Sequence, residues 1–181
     1  YNHAGAYGGG LEACDGIIQN NTIWGNSAYS GGGLSDCDAI IRNNIVYNNT
    51  DDYDSQLVGC ATPEYCCIQD WGTGGTGNIS DDPQLVNPPG GDFHLRPDSP
   101  CIDAGCYIPA LSEDFEGDHR PYDGTNLPRG DGSDYDIGIF PLEINGISND
   151  NWWKSSAGVK SVIEEYIGIF VYCIYGKAKI L

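Results

Sequence analysis

A seven-residue stretch of this chain comes back at a fixed interval with five of its residues unchanged. Gly8-Gly9-Gly10-Leu11-Glu12-Ala13-Cys14 returns as Gly31-Gly32-Gly33-Leu34-Ser35-Asp36-Cys37, 23 residues later. A third, eroded copy keeps Leu57 and Cys60 at the same spacing. The match continues between these anchors. Asn20-Asn21 maps onto Asn43-Asn44, Ile17-Ile18 onto Ile40-Ile41, and Ile23-Trp24-Gly25-Asn26 onto Val46-Tyr47-Asn48-Asn49. A unit this short cannot bury an apolar face by itself, so it must stack on its neighbours. Few architectures are left.

A 23-residue period is too short for two-helix repeats and close to one coil of a parallel β-helix. A leucine-rich repeat has a similar period but needs several leucines per unit, and each unit here supplies one. The units are rich in Ile, Val, Tyr and Thr and show no apolar stripe at helical spacing. Gly triplets and Asn pairs punctuate the short apolar runs, as turns do. The expected fold is all-β: a right-handed, single-stranded parallel β-helix, a solenoid with a loop-rich C-terminal cap. Equivalent residues would stack about 4.8 Å apart. Leu11, Leu34 and Leu57 would form one inward ladder, with Ile18/Ile41 and Ile23/Val46 as two more. Each buried aliphatic side chain would contribute about 1.5–3 kcal/mol.

Asn20/Asn43 and Asn26/Asn49 fit stacked turn asparagines, whose amides bond the backbone and one another along the axis. Sugar-binding residues on an open face are the alternative. Cys14, Cys37 and Cys60 occupy one position in successive units. Their Cβ vectors would run parallel, which suits a file of small buried thiols better than disulfides. Metal binding is the alternative there, although no His accompanies them. Among the eight cysteines, Cys101 and Cys106 are the pair best spaced for a loop-closing disulfide. The Gly-Gly-Gly-Leu and Ile-x-x-Asn signatures of residues 1–60 resemble the repeats of polymorphic outer-membrane proteins and related bacterial β-helix proteins. That resemblance implies the fold and leaves the function open.

Charge narrows the partners. The chain carries a formal −18, unevenly spread. Residues 1–151 hold four arginines, no lysine and 24 acids, a net of −20. Such a surface repels nucleic acid and anionic membranes. It suits an extracellular or cell-surface setting. The chain has no Met, and Tyr1 falls inside a repeat, so the natural protein is expected to continue upstream. Residues 152–181 differ in kind, apolar with a basic end. The uncharged run Tyr166 to Tyr175 has ten residues, too short to span a bilayer. An anchoring tail, a segment packed on the flank and an unnatural gene end all fit this tail.

Past the repeats, Gln84-Leu85-Val86 and Asp92-Phe93-His94-Leu95 read as the last two strands, separated by the turn Pro88-Pro89-Gly90-Gly91. Ser99-Pro100 opens a single helical turn that Gly105 would stop. The run from Phe93 through Ser99-Pro100-Cys101-Ile102-Asp103-Ala104-Gly105 is similar to the closing segment of bacterial β-helix proteins with a choice-of-anchor domain. Gly117-Asp118-His119-Arg120-Pro121 and Asp136-Ile137-Gly138 follow in that family's order. The chain departs from it at Ile139 and delays the expected Glu to Glu143. This resemblance implies a C-terminal cap on a secreted or surface β-helix; it does not imply a catalytic activity. The expected division is repeat coils over 1–95, cap over 96–151 and tail over 152–181.

Candidate chemistry is thin. Asp15 and Asp38 stand one repeat apart and would lie about 5 Å from each other, close enough for a shared ion or a retaining carboxylate pair. Arg42 is the one base of the repeats. These three are the residues a pectate-lyase-like polysaccharide lyase or a glycoside hydrolase could use. Two exposed turn aspartates are the plainer reading. Trp24, Tyr47 and Tyr29 could stack on sugar rings. Asp131, Asp134 and Asp136 could hold calcium, which takes hard oxygen ligands; no feature requires a cofactor. In the cap, Arg120 among many acids should pair with Asp103 or Asp136. The expected function is a non-enzymatic bacterial module, extracellular or on the cell surface, that is structural, adhesive or glycan-binding. Its partner would be a polysaccharide or a cell-surface molecule, with no nucleic acid and no membrane span. The C-terminal part of a lyase or hydrolase is the alternative.

Overall fold

The computed structural model describes residues 1–38, 40–53, 55–72, 74–109, 111–117, 119–121 and 129–140. Over these residues the chain is all-β, with parallel sheets and one 3-10 turn. The repeat sets the pairing. β1 (Leu11–Glu12), β4 (Leu34–Ser35) and β7 (Leu57–Val58) run parallel, with Leu11 opposite Leu34 and Leu34 opposite Leu57. β2 (Ile18–Gln19) pairs with β5 (Ile41–Arg42), placing Ile18 opposite Ile41. β3 (Thr22–Trp24), β6 (Ile45–Tyr47) and β8 (Cys67–Ile68) form the third sheet. Its interval is 23 residues from Ile23 to Val46 and 22 from Val46 to Ile68. Single parallel bridges join His3, Ser27 and Thr50 along a fourth side, and Tyr7 with Ser30.

The Gly triplet is explained by crowding between units. Gly31 has φ +68°, a left-handed conformation that side chains disfavour. A Cβ on Gly33 would lie 2.5 Å from Val46 Cγ1 and 2.7 Å from the Gln56 carbonyl oxygen. Gly32 is as tightly held, with the Thr50 backbone 2.7 Å away. The triplet therefore gives one residue to the turn and two to close backbone approach.

Two cores follow from strand alternation. Ile23, Val46 and Ile68 point to the first core, with Cys14, Ile18, Leu34, Cys37, Ile41 and Cys66. Leu34 is fully buried, whereas Leu11 and Leu57 at the ends of that file are half-buried and pack against the same core. Ile45 and Cys67 point the other way, into a second core with Leu85, Leu95, Cys101, Ile102, Ala104 and Ile137. The third sheet is thus covered on both faces, as a parallel sheet requires.

Amide ladders satisfy the turns. Asn26 donates its backbone N–H and side-chain amide to Asn49 Oδ1, each at 3.0 Å. Asn49 in turn donates to Gln56 Oε1 at 2.9 Å. A second ladder runs through Asn21 and Asn44, whose Oδ1 accepts the Asn21 N–H at 2.9 Å. Asn20 and Asn43, expected to ladder, have another part. Both sit at φ +52°, the left-handed turn position that Asn tolerates, one residue before the ladder pair. This turn sends the Asn43 amide to the C-terminal segment instead.

The cysteine file has its own regularity. Cys37, Cys60 and Cys66 each donate Sγ–H to the carbonyl two residues earlier, at 3.3–3.4 Å, and Cys14 does so at 3.8 Å. Its bond to Cys14, together with burial, pushes the Cys37 thiol up to about 11. Cys60 is raised too, chiefly by its bond to Cys37, and burial takes Cys66 to about 12. At pH 8 a thiol with a pKa near 11 is about one part in a thousand thiolate. Cys37 and Cys66 should therefore react with a thiol-directed disulfide reagent only after denaturant is added. Rapid labelling of either in the native chain would contradict this burial.

Beyond Ile68 the parallel pairing thins to one bridge, Cys67–Ile79. The two strands read at 84–95 are present and pair antiparallel. β9 (Leu85–Asn87) and β10 (Asp92–Leu95) form an antiparallel hairpin, because the 3-10 turn Pro88–Gly90 and Gly91, at φ +87°, reverse the chain. The Ser99 turn forms with Ser99 Oγ accepting the Cys101 N–H at 3.1 Å. Gly105 is not its left-handed stop; Asp103, at φ +54°, holds that conformation. Gly105 is needed for proximity, since a Cβ there would meet the Tyr135 carbonyl oxygen at 2.7 Å. This segment docks on the side of the repeats. The Asn43 amide clamps the Cys106 backbone from both ends, at 2.8 and 2.9 Å, and Gly138 N–H donates to the Asn43 carbonyl at 2.9 Å. The tail at 152–181 and Glu143 lie outside the described residues.

Candidate functional site

The residues expected to carry chemistry lie in different surroundings. Asp15 and Asp38 are both exposed. The Arg42 Nε and Nη2 donate to Gln19 Oε1 at 3.1 and 3.0 Å, and Gln19 is the partner of Arg42 in the sheet. Held this way, the guanidinium ties the two strands of the second sheet.

The aromatic residues split into two groups. Trp24 and Tyr47 are opposite each other in the third sheet and stack at 5.8 Å, with their planes 15° apart. They pack against the second core, so they cover an outer wall. Burial raises the Tyr47 phenol. Tyr29 belongs elsewhere. It meets Tyr53 edge-on at 5.6 Å, and the two hydroxyls are 2.7 Å apart. Tyr53 was missed in the sequence because the third repeat is eroded there; counting 23 residues on from Ser30, the partner of Tyr7, would have found it. Asp51 fixes the turn that carries Tyr53. Its Oδ1 accepts the N–H groups of Tyr53 and Ser55, and its Oδ2 accepts that of Gly31, all at 2.7–2.9 Å. Tyr29 and Tyr53 are 49 and 62 % exposed and form an exposed aromatic pair, while Tyr7, 47 % exposed, stands beside Ser30 in the bridge.

The acids read as calcium ligands serve backbone groups. Asp131 accepts the Tyr107 N–H at 2.8 Å and the Ser133 N–H at 3.0 Å. Burial would raise its carboxyl, but these bonds outweigh burial and hold it below the usual range. Asp136 Oδ1 accepts the Asp103 N–H at 2.7 Å, and Asp134 is exposed at φ +59°. Among the described residues no three His, Cys, Asp or Glu side chains gather as a metal set. Arg120 is buried together with Asp103 and Asp136. Its Nη2 donates to the Gly138 carbonyl at 3.0 Å and its Nη1 to the Asp136 carbonyl at 3.4 Å. Arg120 and Asp136 are thereby neighbours, and Asp103 adjoins Asp136.

Cys101 and Cys106 both carry free thiols. Burial raises the Cys101 thiol well above its ordinary value, helped by a bond to the Cys67 thiol, so its sulfur neighbour comes from β8. One charged cluster escaped the sequence reading altogether. His94 on β10 lies between Asp92 and Glu116, 2.7 Å from Asp92 Oδ1 and 3.0 Å from Glu116 Oε2. Asp92 and His94 alternate onto one face of the strand, which the sequence does signal; Glu116 arrives only through the fold.

No family model, no curated protein and no solved structure matches this chain. No helix among the described residues is long and apolar enough to cross a membrane.

Proposed function

We propose that the parallel ladders are successive coils of a right-handed β-helix, and that this chain is a non-catalytic module of a bacterial extracellular or cell-surface protein. Its partner is a polysaccharide or another cell-surface molecule, bound along the exposed fourth side. The observation that carries the reading is the exposed Tyr29–Tyr53 pair, whose turn Asp51 pins. Exposed phenol rings on a backbone-pinned turn offer faces to the C–H groups of sugar rings at small entropic cost. The opposite flank is occupied, because the outer face of the third sheet packs under the C-terminal segment. The likeness to polymorphic-outer-membrane-protein repeats and to choice-of-anchor closing segments supports the same placement.

The test is binding of the full chain to a glycan array, paired with turnover assays on pectin, alginate and chondroitin. Tyr29→Ala/Tyr53→Ala should weaken binding at least tenfold and leave the thermal midpoint within a few degrees. Unchanged binding by the double variant would reject the pair. Turnover abolished by Arg42→Gln would replace this reading with the lyase or hydrolase one.

A further inference from the structure

We propose that His94 is a proton-operated latch, holding the turn at 114–117 and the segment 135–140 onto β10 while its imidazole carries both protons. The geometry requires two donors. Nδ1 faces Asp92 Oδ1 at 2.7 Å and Nε2 faces Glu116 Oε2 at 3.0 Å. Ionised carboxylates only accept, and a neutral imidazole has one N–H. On losing a proton, the ring must set a nitrogen lone pair against a carboxylate oxygen at hydrogen-bond distance. One of the two contacts then turns repulsive.

The contacts join three parts of the chain. Asp92 is on the same strand, so its contact is local. Glu116 is presented by a tight turn in which the Gly117 N–H donates to the Asp114 carbonyl at 3.2 Å and the Glu116 N–H to Asp114 Oδ1 at 2.8 Å. That turn closes a small antiparallel pair, Glu113 with His119. The third part is Phe140, whose ring stacks on the imidazole at 4.5 Å with the planes 18° apart, and which Phe115 meets edge-on at 5.8 Å. An aromatic face also favours the cationic ring. The titratable groups that face or adjoin the latch are thus Asp92 from β10, with Glu116 and Asp114 from the turn; the 135–140 segment contributes the uncharged Phe140.

The direction of titration agrees. Burial acts to lower the pKa of His94, but the bonds to Asp92 and Glu116 outweigh it, and the net effect is a rise above the ordinary 6.5. A raised folded-state value means the contribution is full below the unfolded-state pKa and is lost as pH rises through the folded one. The latch is closed in mild acid and opens toward alkaline pH. Opening frees the 114–117 turn and the Phe140 ring, while the parallel ladders, which contain none of these groups, stay paired.

The full chain tests this with two readouts. Nitrogen-15 NMR of the imidazole should show both ring nitrogens protonated at pH 6.5, where an ordinary His is half titrated. Amide exchange, corrected for its intrinsic pH dependence, should lose at least tenfold protection over 111–117 and 135–140 through the same midpoint, with Val46 and Ile68 unchanged. Glu116→Gln keeps a hydrogen-bonding partner and should bring the His94 midpoint down and flatten the pH dependence of protection. His94→Gln should hold the turn loosely at every pH. Titration of His94 at or below 6.5, or exchange over 111–117 indifferent to that titration, overturns the latch.

Discussion

Asn49→Leu should cost about 4–6 kcal/mol, enough to remove most of the stability of a domain this size. Leucine matches asparagine closely enough in size that the loss is one of hydrogen bonds. Asn49 is 4 % exposed and sits at the centre of a ladder. Its Oδ1 takes the Asn26 N–H and the Asn26 amide, and its Nδ2 reaches the Ile23 carbonyl at 2.9 Å and Gln56 Oε1. Leucine removes the side-chain partner of all four groups in a place where water cannot replace it, leaving Gln56 Oε1 only the backbone N–H of residue 49 at 3.3 Å; each group left without a partner costs about 1–3 kcal/mol before relaxation. Urea unfolding measures the effect. A loss under about 1 kcal/mol would mean that the ladder does not hold the turns. Asn48→Gly makes the control, since Asn48 is an exposed turn residue at φ +56°, which Gly adopts freely, and no ladder bond runs through its side chain.

Arg120→Ala should cost about 3–5 kcal/mol and act on the cap alone. Arg120 is the buried base among the described residues, with Asp103 and Asp136 as the buried acids. Its removal leaves the Gly138 and Asp136 carbonyls short of a charged donor and takes the buried guanidinium away from two buried carboxylates. The cap meets the repeats through the Asn43–Cys106 clamp, the Gly138–Asn43 bond and the second core, so its loosening need not break the ladders. Exchange mass spectrometry should show faster exchange over 106–109, 111–117 and 129–140, with β4, β5 and β6 unchanged. Equal loss of protection in cap and ladders would show that the two unfold together.

The parts legible in the sequence are those the period controls. Leu11, Leu34 and Leu57, Ile18 with Ile41, and Ile23 with Val46 were all paired in the right register by counting, because stacking repeats turns sequence interval into position. The side on which the C-terminal segment lies was also written there and went unread. Thr22-Ile23-Trp24 and Ile45-Val46-Tyr47 are apolar without a break, the mark of a strand covered on both faces. A strand wetted on one side would alternate.

Three things were not legible. The antiparallel pairing at 85–95 was one, because strands of three or four residues carry no direction of pairing; the Pro-Pro-Gly-Gly turn alone hinted at reversal. The Asn20/Asn43 pair and the Asn21/Asn44 pair are one residue apart, and only the left-handed φ decides which amide ladders and which points outward. The candidate chemistry dispersed for a similar reason. Asp15 and Asp38 were proposed by interval, but a turn repeats its backbone and leaves exposed side chains free. His94 and Glu116 are 22 residues apart and outside the repeat, so no interval links them.

The central claim is that one sequence repeat makes one turn of a parallel ladder. Cross-strand nuclear Overhauser contacts of the isotopically labelled chain test it most directly. The account predicts the parallel pattern, Hα to amide contacts without close Hα–Hα pairs, linking Leu11 with Leu34, Ile18 with Ile41 and Ile23 with Val46, all 23 residues apart. Adjacent strands should lie about 4.8 Å apart throughout. Close Hα–Hα contacts between these segments, or contacts shifted off that interval, would contradict it.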